Sequence, residues 1–72
     1  MARSRIPPYR QIAATVRARI EAGELVSGDQ VPSANDLAET YEVSRGTALR
    51  ALRVLRDEGL IEVTQGWGSF VK

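Results

Sequence analysis

The chain has no cysteine and no histidine, and its one lysine is the final residue, Lys72. Without cysteine there is no disulfide and no thiolate nucleophile, a composition that fits a reducing compartment. Without histidine the commonest general base and the commonest nitrogen ligand for metals are missing. Metal binding would have to be all-oxygen, and no loop carries the spaced Asp/Asn pattern of a calcium site. The Gly66-x-Gly68 pair lacks the strand-to-helix setting and third glycine of a dinucleotide site. No catalytic residue, metal or cofactor is therefore expected, and the chain is not read as an enzyme. No apolar run approaches the ~20 residues that cross a bilayer. Arg3 and Arg5 have no apolar stretch behind them to make a signal peptide. These absences point to a soluble, cytoplasmic chain without a membrane partner.

What is present makes one small domain. Its 72 residues leave no room for a second, and an apolar fraction of 43% is too high for a disordered chain. The formal net charge is only +1, but charge is unevenly placed. From Glu21 to Glu42 there are six acids (Glu21, Glu24, Asp29, Asp36, Glu39, Glu42) and no Lys or Arg. The stretch "VSRGTALRALRVLR", residues 43 to 56, then holds Arg45, Arg50, Arg53 and Arg56 and no acid. Such asymmetry orients a field, with one face inviting a polyanion.

Residues 1 to 7 are expected to form a flexible arm, closed by helix-breaking "IPP". Tyr9, Ile12, Ala13, Val16 and Ile20 then trace one stripe of a helix, with Gly23 as its stop. "VSGDQ" reads as a turn, and Gln30-Val31 as a very short strand. Ser33 is an N-cap for a second, short helix, paired with Asp36 in a capping-box-like arrangement. Ser44 caps a third helix that runs to about Glu58, with Gly59 as its stop. Ala48, Ala51, Leu52 and Leu55 form its buried stripe; Gly46, Arg50, Arg53 and Asp57 point the opposite way, and Arg45 and Arg56 flank the stripe on one side. "LIEVT", "QGWG" and "SFV" read as a β-hairpin. The fold class is mainly α with a small β-hairpin.

A short capped helix, a tight turn and a longer helix with outward arginines is the helix-turn-helix plan. A helix in the major groove needs small or hydrogen-bonding residues near its N-terminus, and Ser44, Arg45, Gly46 and Thr47 satisfy that. Arg45 can address guanine O6 and N7 together, while helix-start N–H groups and the Ser44 and Thr47 hydroxyls suit phosphate oxygens. Four arginines on one helix are often only a solvated face. Exposed helices, however, usually gain from i,i+4 acid–base pairs, and residues 43 to 56 offer none. Ser44 caps its helix under either reading, and Thr47 and Gly46 also fit a plain surface. Composition leaves open whether the hairpin touches DNA or only covers the core.

The chain resembles the winged helix-turn-helix DNA-binding domain of GntR-family bacterial transcription regulators. The resemblance runs from Pro8 to Val71 through "PPYRQIAATVRARIEAGELVSGDQVPS", "LAETYEVSRGTALRALRVLRDEGLI" and "QGWGSFV". It implies a three-helix core with a wing over residues 60 to 71, a domain over 8 to 72, major-groove insertion of the helix from Ser44, and a wing in the adjoining minor groove. It also implies a homodimer on an inverted-repeat operator, and the action is read as repression. Because the apolar stripes are committed to one core and no heptad or extra helix is left for an interface, a monomer or weak dimer is expected off DNA. The DNA-binding set carried onto this sequence is Ser33, Asn35, Ser44, Arg45, Gly46, Thr47, Arg50, Arg53, Gln65, Gly66 and Trp67. Several positions depart from the family. Asn35 stands where an arginine is frequent, Leu49 where another is common, Glu42 where glycine often makes the turn, and Trp67 where the wing tip is usually basic. Arg50, next to Leu49, is expected to take over its work from a different angle. Such regulators usually continue into a C-terminal effector domain. Residues 1 to 72 leave no room for an effector pocket, so no small-molecule effector is expected within this chain. The rival reading is a winged-helix protein–protein adaptor using its acidic surface or wing; a nonspecific architectural DNA binder comes third.

Overall fold

The computed structural model describes residues 6–64 and 66–72. Its elements run α1 (Pro8–Glu21), β1 (Gln30–Val31), α2 (Ala34–Tyr41), α3 (Arg45–Asp57), β2 (Ile61–Thr64) and β3 (Gly68–Val71). Of the arm expected over residues 1 to 7, residues 1 to 5 lie outside the described residues. Pro7 precedes α1, and its carbonyl accepts from the N–H groups of Arg10 and Gln11.

Local chemistry ends each helix. After α1, the Gly23 N–H donates to the Ile20 carbonyl and the Glu24 N–H to the Arg19 carbonyl, with Gly23 at φ 83°. After α3, Gly59 and Leu60 close on Arg56 and Leu55 in the same way, with Gly59 at φ 80°. Both are Schellman closures, in which a left-handed glycine lets two terminal carbonyls find donors. Helix α2 ends differently. Glu42 occupies the left-handed region at φ 56° and ψ 48°, and the Val43 N–H turns back to the Ala38 carbonyl. A side chain there costs about 1–2 kcal/mol.

Helix α3 is the centre of the molecule. Ala48, Ala51 and Leu55 are fully buried, and α3 packs against both α1 and α2. Leu52 of the same helix, Ile12, Ala13 and Val16 from α1, Leu25 after it, Ala34 and Leu37 from α2, and Val31, Ile61 and Val71 from the strands complete the core. The expected helical stripes face this core, though Tyr9 and Ile20 of α1 and Ala38 and Tyr41 of α2 are only half-buried at its edge. The expected hairpin is part of something larger: a three-stranded antiparallel sheet in the order β1-β3-β2. Val31 pairs with Ser69 and Gln30 with Phe70, while Ile61 pairs with Val71 and Thr64 with Gly68. The connection between α1 and α2 thus supplies the strand that ties the hairpin to the helices. This is a winged helix-turn-helix, with β2 and β3 as the wing.

Candidate nucleic-acid interface

The two N-caps shape the interface. Ser33 Oγ accepts from the Asp36 N–H at 3.1 Å, and Asp36 Oδ2 accepts from the Ser33 N–H at 3.3 Å, a reciprocal capping box that fixes the first turn of α2. At α3, Ser44 Oγ accepts from the Thr47 N–H at 3.1 Å and lies 3.0 Å from Thr47 Oγ1. With Ser44 donating to Thr47, the Thr47 hydroxyl keeps its own proton for an outside acceptor.

The four arginines of α3 do not share one environment. Arg45 Nε donates to Asn35 Oδ1 at 2.9 Å, which ties the start of α3 to the first turn of α2. Arg53 is exposed and has no ion pair or hydrogen-bond partner among the described residues. Arg56 approaches Asp57 Oδ1 at 3.3 Å. Arg50 turns toward α1, its Cζ 4.2 Å from the centroid of the Tyr9 ring. The Tyr9 hydroxyl is held below the ordinary tyrosine pKa, chiefly by the hydrogen bond from Arg10, against the opposing effect of desolvation and with help from the Arg50 charge.

Between α3 and the wing runs an open groove. Arg45, Leu49, Arg53 and Arg56 line one side, and Val63 and Thr64 the other. Ser33 and Gly66 also border it, and no acidic residue lines it among the described residues. Trp67 projects from the wing tip at 76% exposure. Gln65 lies outside the described residues. Gly46 sits on the open side of the first turn of α3, where an added Cβ would meet only Ser44 Oγ, at 3.8 Å. Nothing inside the domain requires a glycine there.

The candidates therefore divide. Ser33, Asn35, Arg45 and Arg53 converge near the groove, Ser44, Gly46 and Thr47 surround the start of α3, and Gly66 and Trp67 belong to the wing. Arg50 stands apart, over Tyr9. Leu49, Arg56, Val63 and Thr64 were not among the candidates, yet they line the groove. Arg56 had a signal, since it shares the flank of the buried stripe with Arg45. The wing residues had only their strand alternation, which places them on a face without saying what that face meets.

A model of the bacterial regulatory proteins, gntR family, matches residues 8–71. The chain is 44% identical over 66 residues to the mannosyl-D-glycerate transport/metabolism system repressor MngR of Escherichia coli K12, covering 92% of this chain and 28% of that protein. It is 38% identical over 63 residues to the Exu regulon transcriptional regulator of the same organism, covering 88% and 24%. Against the first curated relatives, the chain spans 28%, 14% and 24% of their lengths. Among solved structures, the DNA-binding domain of AraR in complex with operator ORR3 superposes with a TM-score of 0.92 at 29% identity, covering 100% of this chain and 87% of that one. The complex of the AraR N-terminal domain with a mutant ORR3 gives 0.92 at 30% identity, covering 97% and 100%.

Proposed function

The chain belongs to the GntR family of bacterial regulatory proteins, and on that premise we propose that residues 8 to 72 bind double-stranded DNA sequence-specifically as the operator-reading domain of a transcriptional repressor. The observation that carries the proposal is the groove, lined by no acid among the described residues, in which Arg45, Arg53 and Arg56 face the wing. The AraR complexes with operator DNA support it from a similar structure, and the similarity to the repressor MngR supports repression.

The start of α3 enters the major groove, where Arg45 addresses a guanine through O6 and N7. Gly46, facing outward without a Cβ, lets the backbone approach the bases or the phosphate edge. The Thr47 hydroxyl, whose proton Ser44 leaves free by donating to it, and the helix-start N–H groups hold phosphates, as do the capped start of α2 at Ser33 and the Arg53 guanidinium. Arg50, over Tyr9, serves a phosphate flanking the half-site. The wing brings Gly66 and Trp67 to the adjoining minor groove. Two copies occupy an inverted repeat, each held mainly by its own half-site, and the free domain is a monomer or weak dimer. This role is cytoplasmic and needs no catalytic group, and any effector acts outside this chain.

Selection from a random duplex pool tests the proposal. One enriched inverted-repeat site is expected, with affinity that falls steeply as salt rises and weaker binding to random DNA. An adaptor would bind neither DNA, and an architectural protein would bind both alike.

A further inference from the structure

Asn35 occupies the first turn of α2, whose backbone is fixed by the Ser33–Asp36 capping box. Its Oδ1 accepts from Arg45 Nε at 2.9 Å. That donor sets the orientation of the amide, because an N–H can face only the carbonyl oxygen. A bidentate asparagine contact to adenine requires Oδ1 as acceptor and Nδ2 as donor at once. With Oδ1 turned to Arg45, Asn35 is poorly placed to read a base itself.

The consequence for Arg45 is specific. Its guanidinium carries five N–H donors. Asn35 takes the one on Nε and leaves the four on the two terminal nitrogens. Arg45 then meets a base edge end-on, through Nη1 and Nη2, rather than side-on through Nε and one Nη. The acceptor is neutral, so the full positive charge of Arg45 remains available to DNA. Leu49, the next residue along the groove face of α3, offers no competing acceptor.

We infer that Asn35 is a positioning residue that fixes the orientation of Arg45 and thereby sets base preference at the position Arg45 reads. This rests on the reading of α3 as the DNA-facing helix. A flexible arginine must surrender rotamer freedom on binding, and one already held by a rigid neighbour surrenders less.

The test is a double-mutant cycle on the selected site, with binding also measured on sites substituted at each base pair. The variants are Asn35→Ala, Asn35→Asp, Arg45→Ala and Asn35→Ala/Arg45→Ala, with unfolding midpoints to confirm that each folds. Asn35→Ala is expected to weaken binding about 3- to 10-fold, the span of one net hydrogen bond. It should relax preference at the same base pair as Arg45→Ala, and the double variant should bind no more weakly than Arg45→Ala alone. Asn35→Asp keeps the acceptor and should keep that preference, while its negative charge lowers affinity overall. Equal losses from Asn35→Ala in both backgrounds, relaxation at a different base pair, or no change in preference each overturn the positioning role. In those cases the loss from Arg45→Ala still stands and the DNA-binding reading survives. If Arg45→Ala itself binds and discriminates as the unaltered protein does, the assignment of Arg45 falls and the positioning role falls with it.

Discussion

Arg17 and Glu58 join α1 to the end of α3 through two parallel hydrogen bonds, Nε to Oε1 at 2.9 Å and Nη2 to Oε2 at 2.7 Å. The pair is fork-to-fork, the strongest geometry for an arginine and a carboxylate. The bond to Glu58 raises the Arg17 pKa further above its already high value, so Arg17 stays charged throughout the working range. Both side chains remain partly exposed, at 31% and 40%, which screens the attraction. Glu58 also places a negative charge at the C-terminus of α3, where the helix dipole disfavours it. Glu58→Ala is therefore expected to cost no more than about 1 kcal/mol in urea unfolding, with a favourable coupling to Arg17→Ala that shrinks in high salt. A coupling of zero would show the bridge to be without energetic weight.

Glu42 is the one described non-glycine residue with positive φ, at 56°. Replacing it by glycine removes the left-handed penalty of a Cβ, at the expense of some added freedom in the unfolded chain. Glu42→Gly should raise stability by about 1 kcal/mol, read as a higher unfolding midpoint with unchanged denaturant slope. A lower midpoint would mean that the Glu42 side chain contributes more than its backbone strain costs.

Gly46 should separate stability from function. An added methyl meets only Ser44 Oγ, at 3.8 Å, and alanine is the better helix former by up to about 1 kcal/mol. Gly46→Ala is expected to stabilise the free domain and to weaken operator binding. If operator affinity is unchanged, Gly46 does not face DNA closely.

Arg45 and Arg53 should fail in different ways. Arg45→Ala is expected to cost about 1–3 kcal/mol on the selected site and to relax preference at one base pair. Arg53, farther along α3 and unpartnered among the described residues, is assigned to phosphate. Its loss should be similar on every sequence and make the slope of log affinity against log salt shallower by about 0.9. A loss from Arg53→Ala confined to one base identity would reverse the division.

Trp67 is the only tryptophan, and at 76% exposure it stands clear of the core. Its emission is expected at water-exposed wavelengths in the free protein and should change in intensity or wavelength on adding operator DNA. Trp67→Ala should leave the unfolding midpoint nearly unchanged and weaken binding. An emission indifferent to saturating DNA would remove the wing tip from the interface.

The three helices, their caps and their buried stripes were determined by the sequence itself, because each depends on contacts within one turn or a few. Ser33 and Ser44 cap by reaching three residues ahead, and Gly23 and Gly59 stop helices by adopting a local backbone conformation. The spacing of Ala48, Ala51, Leu52 and Leu55 states which side of α3 must leave water. Spacing also set the azimuth of each arginine on that helix. It could not state what stands opposite, since that depends on which elements are packed alongside. Only the tertiary structure decided that Arg50 lies over Tyr9 of α1, that Arg45 meets Asn35 of α2, and that Arg53 and Arg56 open on the wing. It likewise decided that Gln30-Val31 pairs with β3, a partner far along the chain that two residues of extended backbone cannot specify. Periodicity fixes a direction around a helix axis; the packing of the other elements against that axis supplies the partner.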